Sequence, residues 1–249
     1  MKRALSIIVP AYNEEARLAA TVGDVLAEAA DLLDAFEVLI VNDGSGDGTG
    51  AVADRLAARH PQVTVLHQPC NRGVGAAYHE GLRRARHPYL TLIPGDRAFH
   101  RSGVRALFAA VGTAELVVSY RANMEARTPL RRFLSVCCTR SMRLLTGRPI
   151  RDAHSMYVFP TERARLIPVH DGYGYHIQAL SALLRSCESY VEVPVRLNPR
   201  PDASSGVMRP RVIAALVWTM GRLYLRRFLT GRNGPAAATP PAVALREAA

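Results

Sequence analysis

Four short apolar runs rich in β-branched residues, "LSIIVPA", "FEVLIVND", "VTVLHQP" and "YLTLIP", divide the N-terminal part of the chain. Helical patterns fill the gaps, from about Glu15 to Leu33, Gly48 to His60 and Gly75 to Arg86. Unbroken apolar runs of this kind are strands buried on both faces, as in a parallel sheet covered by helices. Strand, helix, strand in repetition requires right-handed crossovers and an α/β fold, and such sheets take their ligands beyond the carboxyl ends of the strands.

The polar residues sit where that rule places a ligand. Tyr12-Asn13-Glu14 follows the first run, Asn42-Asp43-Gly44-Ser45 the second, Asn71-Arg72-Gly73 the third and Gly95-Asp96 the fourth. Any one cluster reads equally as a turn or a helix cap, because Asn, Asp, Gly and Ser dominate turns. Four in succession at one edge of a sheet point to a nucleotide-type pocket.

A chain of 249 residues, 49% hydrophobic, can bury one substantial core, so one main domain is expected. Its charge is uneven. Residues 1–120 carry 12 Lys+Arg against 13 Asp+Glu, whereas residues 121–249 carry 20 against 8. A second half this basic suits an anionic partner, although Lys2 is the only lysine and an arginine-rich coding bias would inflate the count. Cys70, Cys137, Cys138 and Cys187 lack the spacing of a zinc site or a disulfide framework. "ALSIIVPAY" is too short for a signal segment with a cleavage site, and a cytoplasmic location is expected.

The motifs "SIIVPAYNEE", "VLIVNDGSGDGT", "NRGVGAAYHEGLRRA" and "LIPGDRAFH", in this order over roughly residues 4–115, resemble the nucleotide-sugar half of family 2 glycosyltransferases. "LLTGRPIRDAHSMYVFP", "GYGYHIQALSALL" and "VEVPVRLNPRPDASS" are similar, more loosely, to the polyprenyl-phosphate sugar synthase branch of that family. The resemblance implies a GT-A fold, a Rossmann-like, mainly parallel sheet flanked by helices, and transfer of a sugar with inversion. It implies that Pro10, Tyr12 and Glu14 enclose the base and ribose and that Asp43 bonds the base. Asp96 would meet the diphosphate through Mg²⁺ or Mn²⁺, and Arg200, Ser204 and Ser205 would form a phosphate-binding loop. Asp152 occupies the acidic position of the D-x-x-S-G-F segment.

The residues themselves accord with these roles. An aromatic ring offers a stacking face, carboxylates accept from ribose hydroxyls or base N–H groups, and a guanidinium fork suits phosphate oxygens. There are departures. The first carboxylate of D-x-D is Pro94, the D-D of the second motif is Asn42-Asp43, the glutamate of G-Y-E-F is Gly174 and a later glutamate is Gln178, and the lysine closing the last motif is Gly206. With one carboxylate at the metal position, Arg72, Arg97 or Arg200 becomes an alternative counter-charge for the diphosphate.

A lipid monophosphate acceptor is already anionic near neutral pH and needs no strong base. A hydroxyl acceptor needs one, and Asp152, His154 or His176 is the candidate, although a lone histidine is more often structural. "PLRRFLSVCCTRSMRLLTGR" and "RPRVIAALVWTMGRLYLRRFLTGR" join helical apolar spacing to arginines, and neither reaches the roughly 18 uninterrupted apolar residues of a membrane span. Each is an ordinary core helix or an interfacial one, the second carrying Trp218, Tyr224 and Phe228 for a headgroup region.

The expected organisation is therefore a transferase domain over residues 1–206, divided into a nucleotide-sugar half (1–115) and an acceptor half (116–206), then a basic amphipathic helix over 207–232 and a disordered tail over 233–249. The expected donor is a nucleoside diphosphate sugar of the UDP or GDP type. The expected acceptor is a polyprenyl phosphate, reached peripherally at the inner membrane face. The alternatives are a soluble transferase acting on a small-molecule hydroxyl or amine, and a nucleotide-sugar-binding protein without turnover. Nucleic acid is not expected as a partner, because no reader module accompanies the positive charge.

Overall fold

The computed structural model describes residues 2–126, 128–170, 172, 174–199 and 210–230. The elements run β1 (Ala4–Ala11), α1 (Glu15–Leu32), β2 (Ala35–Asn42), α2 (Thr49–Arg59), β3 (Val63–His67), α3 (Val74–Arg84), β4 (Tyr89–Leu92), α4 (Arg101–Ala109) and β5 (Leu116–Arg121). A 3-10 turn (Met124–Ala126) leads to α5 (Pro129–Thr146), β6 (Tyr157–Pro160), α6 (Thr161–Arg165), α7 (Tyr175–Ser186), β7 (Tyr190–Val195) and α8 (Pro210–Thr230).

The strands form one sheet in the order β3-β2-β1-β4-β6-β5-β7. β1 to β4 are mutually parallel, with Ile7 opposite Val38 and Thr91, as the continuous apolar runs predict. β5 pairs parallel with β7, but β6 runs antiparallel to both β4 and β5. The crossover through α4 carries the chain beyond a vacant position, which β6 later fills in reverse. Strand order turns back at β1, with β2 on one side and β4 on the other, and the crevice at that switch point is where ligands of open α/β sheets bind.

Alternate strand residues feed two cores. Leu5, Ile7 and Val9 face Leu18, Val22 and Val25 of α1 and Leu107 of α4, whereas Ile8, Leu39 and Leu90 face Tyr78 of α3, Met142 of α5 and Leu183 of α7. Thr91 is fully buried within β4, where its hydroxyl donates to Tyr157 O at 2.9 Å and ties β4 to β6.

α8 lies within the amphipathic stretch expected over 207–232. Leu216, Met220 and Leu223 pack on the second core, the Tyr224 hydroxyl donates to Ser141 O of α5 at 2.7 Å, and Val217, Trp218 and Leu225 face outward. On α5, Met142 and Leu145 point in while Leu130, Phe133, Val136 and Leu144 point out. No described helix is long and apolar enough to cross a membrane. The tail expected to be disordered over 233–249 lies outside the described residues.

Candidate active site

The four polar clusters meet at the carboxyl edge of β1 to β4 and are bonded to one another. Asn13, with φ 54, accepts from Gly46 N through Oδ1 at 2.9 Å and donates its own N–H to Ser45 Oγ at 3.1 Å, while Glu14 N donates to Thr49 Oγ1 at 2.8 Å. Asp43, buried at the end of β2, accepts from Arg72 N at 2.7 Å on one carboxylate oxygen and from Gly73 N at 2.8 Å on the other. Gly44 beside it has φ +65, and a Cβ there would lie 2.4 Å from Cys70 C, so only glycine fits between the second and third strand ends. Gly95 N donates to Pro10 O at 3.0 Å, which draws the Pro94-Gly95-Asp96 turn against the end of β1.

These bonds bring the segments that carry Pro10, Tyr12, Glu14, Asp43, Arg72 and Asp96 together at the carboxyl edge of the sheet. Tyr12 is the ring left open on it, at 47% exposure. Asp43 has a structural task first, since both its oxygens hold the loop that enters α3, and each retains a lone pair for a ligand. Asp96 Oδ1 accepts from Ala98 N at 3.0 Å, a turn bond within its own loop.

Beyond Pro94 the crevice deepens into a cleft of ≈ 110 Å³ walled by Leu92, Phe99, Met156 and Phe159, with Tyr78, His154 and His176 at its polar points. His176 and His154 stack with ring centres 6.1 Å apart. His176 Nε2 lies 2.8 Å from Ala153 O, and a carbonyl only accepts, so Nε2 carries the proton and Nδ1 is the acceptor. Burial pushes the imidazole down to about 4, against a smaller upward pull from the Ala153 carbonyl. His176 is therefore neutral throughout the ordinary pH range.

That depression has a sign and a window. In the fold His176 takes a proton only near pH 4, whereas an unfolded imidazole does so near 6.5. Between these values the unfolded chain binds the proton more tightly, so this contribution is full above about pH 6.5 and lost as the pH falls toward 4. Urea unfolding at pH 7 and pH 4.5 is expected to differ by about 2–3 kcal/mol from this group. His176→Gln should flatten that part of the slope. Equal pH dependence in parent and variant would contradict the burial.

Asp152 lies beneath the cleft and does not line it. Arg121, at the end of β5, donates to its carboxylate from Nε at 2.5 Å, Nη2 at 2.7 Å and its backbone N at 3.3 Å, and His154 N adds a fourth bond at 2.9 Å. Burial works to raise the carboxyl, but the hydrogen bonds and charge of Arg121 prevail and hold it below the usual carboxylate range. Both partners are almost fully buried. A carboxylate so engaged fixes the Asp152–Tyr157 segment, and hence His154 and Ser155, at the cleft. Arg200, Ser204 and Ser205 lie outside the described residues.

Three participants escaped sequence reasoning. Arg121 closes the apolar run "ELVVSYR" as an arginine inside a strand, a signal that a buried counter-ion exists. Tyr78 sits on the apolar face of α3 and reads as core. Ser155, whose Oγ lies 2.6 Å from Ser119 Oγ, sits in the recognised D-x-x-S segment but carries no distinguishing mark.

Gly174 explains one departure from the family pattern. A Cβ there would meet Thr219 Oγ1 at 2.3 Å, so α8 occupies the space that a glutamate would need. Between them α7 and α8 leave a groove of ≈ 170 Å³ bordered by His170, Gln178, Trp218, Arg222 and Leu223. As for a metal, no group of three or more His, Cys, Asp or Glu comes together among the described residues. At the Pro94-Gly95-Asp96 turn the chain offers one carboxylate, which suits Mg²⁺ or Mn²⁺ when substrate phosphates and water supply most of the ligands.

The dolichyl-phosphate beta-glucosyltransferase ALG5A of Trichomonas vaginalis is 33% identical over 177 residues, 66% of this chain and 55% of that protein. The undecaprenyl-phosphate mannosyltransferase of Micrococcus luteus is 29% identical over 227 residues, covering 85% of this chain and 92% of the relative. Against ALG5A and a second Trichomonas vaginalis paralogue this chain spans 55% and 65% of their lengths. The crystal structure of glucosyl-3-phosphoglycerate synthase from Mycobacterium tuberculosis with Mn²⁺, UDP-glucose and phosphoglyceric acid shares the GT-A fold, with a TM-score of 0.61, 23% identity and coverage of 88% of this chain and 80% of that one. The family model described as Glycosyl transferase family 2 matches residues 6–157, through β1 to the start of β6, and the chain belongs to that family.

Proposed function

We propose that the chain moves a sugar from a nucleoside diphosphate donor, of the UDP or GDP type, to a polyprenyl phosphate at a membrane surface. One observation carries the acceptor. Of the large apolar side chains exposed among the described residues, all but Tyr12 and Leu166 are on α5 and α8: Leu130, Phe133, Val136, Leu144, Val217, Trp218, Tyr224 and Leu225. These two helices pack together beside α7, whose first turn borders the cleft. Arg131, Arg132, Arg140 and Arg143 lie on α5 and Arg222 on α8, so the surface is apolar and cationic, as an anionic leaflet requires. The groove between α7 and α8, with Arg222 and His170 at its border, offers the lipid phosphate a way from that surface toward the donor. Two of the relatives above act on dolichyl or undecaprenyl phosphate by name.

In this reading Pro10, Tyr12 and Glu14 enclose the base and ribose, Asp43 bonds the base, and Arg72 and Asp96 face the diphosphate. A phosphate oxygen of the acceptor attacks the anomeric carbon as the bond to the donor's β-phosphate oxygen breaks on the opposite face, so the configuration inverts. The attacking oxygen is already anionic, and a neutral His176 suffices because no strong base is called for. Asp96 would hold a divalent cation, which supplies charge compensation to the departing nucleoside diphosphate. The phosphate loop with Arg200, Ser204 and Ser205 is assigned to the acceptor phosphate. Asp152 acts through Arg121 as a positioning group.

The test is transfer of labelled sugar from UDP-glucose and GDP-mannose to undecaprenyl phosphate in anionic vesicles, with EDTA and then Mn²⁺ added, for the parent and Asp96→Asn. Label is expected in the lipid fraction, lost with EDTA and restored by Mn²⁺ in the parent alone. Transfer only to water-soluble alcohols or amines would replace the lipid acceptor by a small molecule, and indifference to both EDTA and Asp96→Asn would remove the metal.

A further inference from the structure

The turn that carries Asp96 is held from outside by one side chain. Asn198, just beyond the end of β7, donates from Nδ2 to Arg97 O at 2.9 Å and to Phe99 O at 3.0 Å, and from its backbone N to Ala98 O at 2.9 Å. Carbonyls only accept, so the amide nitrogen and not the oxygen faces the turn. His100 N donates to Arg196 O at 2.9 Å and Phe99 bridges to Leu197, so the stretch from Arg97 to His100 lies along the exit of β7. That exit is itself fixed. Asn123, past the end of β5, accepts from Leu197 N at 2.8 Å and donates to Leu197 O at 3.0 Å.

The Arg97 carbonyl and the Ala98 N–H are opposite ends of one trans peptide group. When Asn198 Nδ2 holds the oxygen it therefore also aims the N–H, and that N–H donates to Asp96 Oδ1 at 3.0 Å. Hydrogen bonds at the two ends of one peptide polarise each other in the same sense. Arg97 itself has φ 56, a left-handed conformation that is costly for a residue with a Cβ and persists where its surroundings hold it. Resting on the reading that Asp96 meets the diphosphate, we propose that Asn198 is the positioning residue of that carboxylate, acting through the Arg97–Ala98 peptide and not by touching the donor. Without its amide the peptide is free to turn, the Ala98 N–H leaves Asp96, and the carboxylate is no longer held in one orientation. The same clasp holds Phe99, a wall of the cleft, so a nucleoside diphosphate without a sugar is the probe that reports on Asp96 alone.

The experiment measures the affinities of UDP and GDP in the presence of Mn²⁺ by titration calorimetry, for the parent, Asn198→Leu, Asp96→Asn and the double variant. Leucine is close to asparagine in size, keeps the backbone bond to Ala98 O and removes both side-chain donors. Asn198→Leu is expected to bind the nucleotide that the parent prefers about tenfold more weakly, and Asp96→Asn at least as weakly. The double variant should bind no more weakly than Asp96→Asn, because a residue acting only through Asp96 then has nothing left to position. Asn198→Ser, which retains one donor, takes the place of the leucine variant if that one does not fold, and should lose less. A clasp that served stability alone would lower Tm and leave the affinity of the folded variant unchanged. Parental affinity in a folded Asn198 variant, or losses that add in the double variant, would overturn the inference and leave the donor pocket standing. Parental affinity in Asp96→Asn would overturn the reading of Asp96 on which it rests, and a parent that binds neither nucleotide would overturn the pocket itself.

Discussion

Arg121→Ala is expected to lower the unfolding free energy by about 3–5 kcal/mol, because it leaves the buried Asp152 carboxylate without its counter-charge. The Ser135 hydroxyl loses its 3.0 Å contact with Arg121 Nη2 in the same step. Urea unfolding near neutral pH measures the loss, and the double variant Arg121→Met with Asp152→Leu is the control. Replacing a whole buried pair with apolar groups of similar volume is often neutral or stabilising, so the double variant should recover most of the stability. It should not recover sugar transfer, since nothing then accepts from His154 N and holds the segment bearing His154 and Ser155. The pH dependence has a definite sign. The Asp152 carboxyl is depressed in the fold, so its contribution is present above the unfolded value of about 3.9 and fades as the pH falls below it. That window lies below the His176 window, so the two are separable. A loss under 1 kcal/mol for Arg121→Ala would show that the pair is open to water.

Asp43→Ala should cost about 2–4 kcal/mol, because it strips the buried amides of Arg72 and Gly73 of their shared acceptor at 2.7 and 2.8 Å. In a chain of this length that is a fall in Tm of the order of 10 °C. Asp43→Asn keeps one carbonyl acceptor and should lose roughly half as much. Nucleotide binding separates the two tasks of this residue. If Asp43 also accepts from the base, Asp43→Asn at a temperature where it is fully folded should bind UDP or GDP at least about tenfold more weakly than the parent, since a charge-assisted hydrogen bond has been weakened. Unchanged affinity in a folded Asp43→Asn would confine the residue to holding the α3 entry loop.

The parallel half of the sheet was legible because β1, β2 and β4 are buried on both faces, and that burial leaves apolar runs rich in β-branched residues. The crevice was legible for the same reason, as the polar clusters follow those runs directly. Even so, the pattern could not say that Asp43 and Asn13 bind backbone amides, because a turn bond and a ligand contact call for the same residue types. β6 was harder to read. Its four residues, "YVFP", carry no direction, and only the position left between β4 and β5 sets it antiparallel. Arg121 and Asp152 are 31 residues apart, so their pairing exists only once β5 and the segment before β6 come together. Gly174 was read as a missing glutamate, and the cause was 45 positions along the chain, where Thr219 fills the space.

That contact makes α8 more than a surface helix. Thr219 sits so close to Gly174 that α8 cannot press inward without displacing the turn from which His176 rises into the cleft. The outward side of the same helix bears Val217, Trp218 and Leu225. One helix therefore has its outer side against the surroundings and its inner side against the turn that borders the cleft, so an inward push on the first meets the second. A side chain at 174 would interpose a wedge in this lever and uncouple its two ends.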